Sequence, residues 1–83
     1  MNIKVEFNDA AFDHRIEKED ILNALNNKIR DISISEFPEK NLIVGFDRAG
    51  NPLEILYNPL YDETIYIFHA MKLRESTRKM AGL

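Results

Sequence analysis

The chain has 83 residues, 45% of them hydrophobic and 30% charged, with a net charge of −3. That length holds one folded domain, residues 1–83, with no room for a second core. With no cysteine and three glycines, disulfide frameworks, thiolate zinc sites and Gly-rich phosphate loops are all excluded.

The opening "MNIKVEF" lacks the apolar run of a signal peptide, and no stretch approaches ~18 consecutive apolar residues. A cytoplasmic protein without membrane partners is the expectation. Ile3 to Phe7 reads as a short strand. Asn8 then offers a side-chain acceptor to cap a short helix through "DAAFDHR". In "EKEDILNALNNKI" the residues Ile21, Leu22, Ala24, Leu25 and Ile29 fall on one helical face. Glu17, Glu19 and Asp20 suit the positive end of that helix, and Asn26 and Asn27 can end it.

From there the period changes to two. "RDISISEF" alternates Ile32 and Ile34 with Asp31, Ser33 and Ser35, the pattern of a strand with one wet face. "LIVGF" is nearly all apolar and reads as an interior strand buried on both faces. Val44 and Phe46 lie in it, and Leu22 and Leu25 are expected to cover that sheet. "DRAGNP" is a hairpin turn in which Gly50 or Asn51 takes positive φ and Pro52 stops either ladder. "LEILYN" and "TIYIFHAM" are two more strands. After Met71 the pattern is helical, with Leu73, Thr77 and Met80 along one side and Arg74 and Arg78 spaced i, i+4. The order β-α-α-β-β-β-β-α predicts an α+β domain. Its N-terminal strand and two helices pack on an antiparallel meander, followed by a C-terminal helix, with the helices on one face.

Charge is not spread evenly. Before Ile67 there are seven Lys or Arg against thirteen Asp or Glu; from Ile67 onward there are four against one. A basic segment on an acidic body suits a polyanion or an acidic partner protein. Cations near a helix C-terminus also suit the helix dipole, and Glu75 can pair with Arg78 or Lys79. His69 stands where the last strand meets that segment, on the face of Ile65, Ile67 and Met71 if alternation is regular. It is either a core-edge histidine bonded to a carbonyl, or a proton acceptor that Lys72 and Arg74 hold neutral. His14 reads as the polar end of the first helix. The chain has only two histidines and its acids are scattered, so no metal site or cofactor is expected.

Three segments carry a resemblance: "DHRI" (Asp13 to Ile16), "EKEDI" (Glu17 to Ile21) and "HAMKLR" (His69 to Arg74). Between them, "DRAGNPLE" matches a D-R-x-G-x-x-L-E stretch through Asp47, Arg48, Gly50, Leu53 and Glu54. In this order the chain resembles the small BrnT-type toxins of the RelE/ParE-like toxin–antitoxin group. Arg15 stands where that pattern prefers glycine and Asp13 where it prefers lysine. The resemblance implies a RelE-like toxin that cleaves mRNA, alone or on the ribosome, without metal. It also implies a cognate antitoxin, and assembly as a homodimer or toxin–antitoxin hetero-oligomer. Metal-free cleavage needs a base for the 2′-OH, an acid for the leaving 5′-oxygen and cations around the phosphate. On that reading His69, Lys72 and Arg74 are catalytic, while Arg48, Arg78 and Lys79 contact RNA. Two rivals stand beside it: a non-catalytic binding module of the same fold, and a ParE-like topoisomerase inhibitor.

Overall fold

The computed structural model describes residues 3–83. The strands are β1 (Lys4–Phe7), β2 (Lys28–Glu36), β3 (Glu39–Phe46), β4 (Pro52–Pro59) and β5 (Thr64–Lys72). The helices are α1 (Lys18–Asn26) and α2 (Glu75–Met80), with a 3-10 turn at Asp9–Phe12. One five-stranded sheet runs β1-β5-β4-β3-β2. Strands β2 to β5 form the expected antiparallel meander, and β1 adds in parallel beside β5, pairing Val5 with Ile65 and Phe7 with Ile67. No helix among the described residues is long and apolar enough to cross a membrane.

Local signals explain most element ends. Asn8 caps the 3-10 turn, its side chain accepting from the Ala10 amide at 2.8 Å. Helix α1 stops at Asn26, so Ile29 belongs to β2 and is exposed, not part of the helical face expected for it. Gly50, at φ 86°, turns β3 into β4, and Asp47 accepts from the amides of Ala49, Gly50 and Asn51. Pro52 does not stop the ladder. It opens β4 opposite Phe46, a strand-initial place that needs no ladder donor.

The helices do not share one face. Ile21 and Ala24 of α1 pack with Ile43, Leu53, Ile55 and Ile67 on one side of the sheet. On the other, Ala81, just past α2, and Leu73 pack with Leu42, Val44 and Leu56. The meander is apolar on both surfaces, and a single layer of helix would leave one exposed. Val44 therefore lies beneath the C-terminal segment, not beneath Leu22 and Leu25, and Phe46 is only half-buried. Helix α1 comes closest at Gly45, where a Cβ would stand 2.1 Å from the Ala24 carbonyl oxygen. Only glycine permits that approach.

Two irregularities re-aim side chains. β2 shifts register between Ser33 and Ser35, which puts Ile34 outside the simple alternation with Ile32 and leaves it exposed. On β5, Ile67 pairs with Tyr57 but His69 pairs with Leu56, so Phe68 is the extra residue of a bulge. His69 thus shares a face with Met71 and not with Ile65 or Ile67, as unbroken alternation would have it.

Arg15, where the toxin pattern prefers glycine, has φ 62°. A side chain in the left-handed region costs ~1–2 kcal/mol relative to glycine, partly offset by glycine's larger unfolded-state entropy. Arg15→Gly should raise stability by about 0.5–1 kcal/mol in urea unfolding. A loss of stability would show that contacts of the Arg15 side chain outweigh the backbone strain.

Candidate functional site

Strand alternation sends Leu53, Ile55 and Tyr57 toward α1 and Glu54 and Leu56 toward α2. A carboxylate is thereby placed inside an apolar layer, with Glu54 only 1% exposed. An unpaired charge there would be prohibitive. Its partners come from the end of β5 and the start of α2. The Arg74 amide donates to Oε1 at 3.0 Å, Arg74 Nη2 donates to Oε2 at 2.7 Å, and Arg74 Nε lies 3.2 Å from both oxygens. His69 Nε2 lies 3.0 Å from Oε2, and Thr77 is buried beside the carboxylate.

Burial by itself would push the Glu54 carboxyl up. The Arg74 side chain and amide, Thr77 and His69 outweigh it and bring the pKa down to about 2. Glu54 is therefore ionised at neutral pH and can only accept. The ring nitrogen facing it must carry a proton, so the neutral form of His69 is the Nε2–H tautomer, in which Nδ1 is the ring's acceptor. The charge touching His69 is thus an anion, not the pair of cations expected from its neighbours in sequence.

The bulge has a second consequence. It brings His69 beside His14, with ring centroids 5.4 Å apart and nearly edge to face. His14 is exposed, and the His69 side chain is 18% exposed. The two histidines thus meet across 55 residues of chain, one of them anchored by a buried carboxylate.

The cations are distributed less simply. Arg74 stays half-exposed, and its Nη1 has no partner among the described residues. Lys72 follows on the strand, exposed and without an ion pair among the described residues, and Lys79 on α2 is likewise exposed. Arg78 is engaged by Glu75, with Nη2 to Oε1 at 2.5 Å, and by the main-chain oxygen of Leu83. Arg48 is held at the start of α1 by Glu17 at 2.7 Å and Asp20 at 2.8 Å. Hydrogen bonds from Arg48 lower the Asp20 carboxyl below its ordinary value. His69 and Arg74 therefore meet on Glu54, whereas Lys72, paired with Leu53, projects from the other sheet face, and Arg48 and Arg78 are committed to acids elsewhere. Sequence reasoning missed His14 and Glu54. The signal for Glu54 was there: a lone acid in a run buried on both faces requires a cationic partner.

No three His, Asp or Glu side chains gather as a metal-ligand set among the described residues. Comparison with known protein families, with curated proteins and with solved structures returned no match to this chain.

The depressed Glu54 pKa fixes the sign of a pH effect. Its stabilisation is fully present above the ordinary value of 4.5 and is lost as pH falls toward about 2. The difference corresponds to up to about 3 kcal/mol, reduced where water screens the half-exposed Arg74. Glu54→Gln should lower stability at neutral pH by about 2–4 kcal/mol. It should also flatten the stability profile between roughly pH 5 and pH 2, as read by urea unfolding. An unchanged acid limb in this variant would show that another group controls it.

Proposed function

We propose that the chain is the toxin of a type II toxin–antitoxin pair, a RelE-like domain that arrests growth in the cytoplasm by metal-independent cleavage of mRNA. The observation that carries this reading is the histidine pair, with His69 oriented by the buried Glu54 carboxylate and His14 against it. In the reaction, His69 Nδ1 takes the proton from a ribose 2′-OH. The 2′-oxygen then attacks the adjacent phosphorus and the P–O5′ bond breaks. His14 gives the departing 5′-oxygen its proton, and a 2′,3′-cyclic phosphate remains on the upstream fragment. The free edge of Arg74 offsets the charge on the phosphorane oxygens. Lys79 and, at the periphery, Arg78 and Arg48 are the remaining candidates for RNA contact. Neutralisation follows from an antitoxin that covers this junction.

One observation favours a second reading. Arg48, Arg74 and Arg78 all hold carboxylates, which leaves few free cations for a phosphate. A non-catalytic binding module of the same fold fits that arrangement.

Induced expression in a bacterial host with mapping of transcript ends separates the readings. Growth arrest with new mRNA ends supports the ribonuclease, a DNA-damage response supports topoisomerase inhibition, and normal growth supports the binding module. Under the ribonuclease reading, His14→Gln should keep the wild-type melting temperature and His69→Gln, whose side-chain amide can still donate to Glu54, should remain folded, and each should lose cleavage by roughly 10²–10⁴-fold. Full arrest by a well-folded His69→Gln variant would remove proton transfer from the account.

A further inference from the structure

Helix α1 covers only part of its sheet face. It has nine residues, about 13 Å of helix, and lies over β3 and β4 near Gly45. Strands β2 to β5 have eight or nine residues each, roughly 27–30 Å long. The uncovered part forms an open cleft of about 570 Å³ beside the last turn of α1. That volume lies within the ~300–1,000 Å³ common for small-molecule sites.

The walls are apolar: Val5 and Ile65 on one side, Ile43 at the floor, Leu22 and Leu25 from the helix. One corner is polar. There Lys28 Nζ and Asp31 Oδ2 lie 3.1 Å apart, beside Asn26 and Tyr57. The sheet holds this corner in place, because the Tyr57 hydroxyl donates to Asp31 Oδ1 at 2.8 Å and accepts from Asn41 Nδ2 at 3.1 Å. Tyr57 is buried, whereas the Lys28 and Asp31 side chains are 43% and 32% exposed. Such a pair contributes little to stability and is readily exchanged for other ionic partners.

One cation and one anion at the edge of an apolar cleft complement a zwitterion. A fatty acid would leave Asp31 facing its carboxylate, and a simple amine would leave Lys28 facing its ammonium. We propose that this cleft binds a free α-amino acid with a large apolar side chain. Its carboxylate lies on Lys28, its ammonium on Asp31, and its side chain among Leu22, Leu25 and Ile65. The site is on the opposite sheet face from Glu54, so its test is independent of RNA cleavage.

The test is an NMR titration of the full chain with L-leucine and L-phenylalanine, following the methyl groups of Leu25 and Ile65. Saturable shifts with at least one of them are expected. N-acetylphenylalanine lacks the ammonium and phenylalaninamide lacks the carboxylate, and each should bind about tenfold or more weakly than phenylalanine. Glycine, without an apolar side chain, should not saturate. Lys28→Met changes an exposed residue and should keep the melting temperature while weakening binding by a similar factor. Asp31→Asn keeps an acceptor for Tyr57 and should do the same; if it does not fold, Lys28→Met decides. The proposal is overturned by the absence of saturable shifts with either amino acid. Equal binding of the blocked derivatives, or undiminished binding by folded Lys28→Met, also overturns it.

Discussion

A single buried carboxylate organises the C-terminal third of this protein. Glu54 sits on the face of β4 that would otherwise be apolar, and the ionised form persists because four donors surround it: the Arg74 amide, Nε and Nη2, and His69 Nε2. Withdrawing one partner from such a group typically costs ~3–5 kcal/mol, a large share of what a domain of this size has. The end of β5, the residue that caps α2 and the first turn of α2 are therefore tied to β4 by charge as well as by Leu73 and Ala81. A hydrophobic residue at position 54 could serve stability as well. What the carboxylate adds is orientation, since it fixes which nitrogen of His69 is protonated.

The charge asymmetry of the sequence acquires a structural meaning from the same contact. The cations after Ile67 do not form a uniform basic patch. Arg74 turns inward to Glu54, and Arg78 closes the last turn through Glu75 and Leu83, so part of the positive charge fastens the C-terminal segment to an acidic body. Lys72 and Lys79 are in no ion pair among the described residues and one edge of Arg74 stays open, so the remaining positive charge stands at separate points and not as one continuous basic surface.

Much of this was legible from residue patterns. The strands were visible in "RDISISEF", "LIVGF", "LEILYN" and "TIYIFHAM", and the Asn8 cap and the Gly50 turn had their expected chemistry. What escaped was whatever depends on register. The bulge at Phe68 reverses the face of His69 and brings it to His14, and no local residue type announces a bulge. The placement of α2 opposite α1 escaped too. A strand buried on both faces is compatible with either side for any one helix, and only the sum of both surfaces demands a layer on each. The cleft at Lys28 and Asp31 was equally hidden, because it depends on how much of the sheet a nine-residue helix leaves open.

The central claim is that ionised Glu54 holds His69 as a proton acceptor through Nδ1. Nitrogen-15 NMR of the imidazole rings at neutral pH reads the tautomer directly. The account predicts that His69 carries its proton on Nε2, with a hydrogen-bonded signal, and that Glu54→Gln changes the tautomer balance. A neutral His69 found with its proton on Nδ1 would contradict the contact to Glu54 and, with it, the role assigned to the histidine pair.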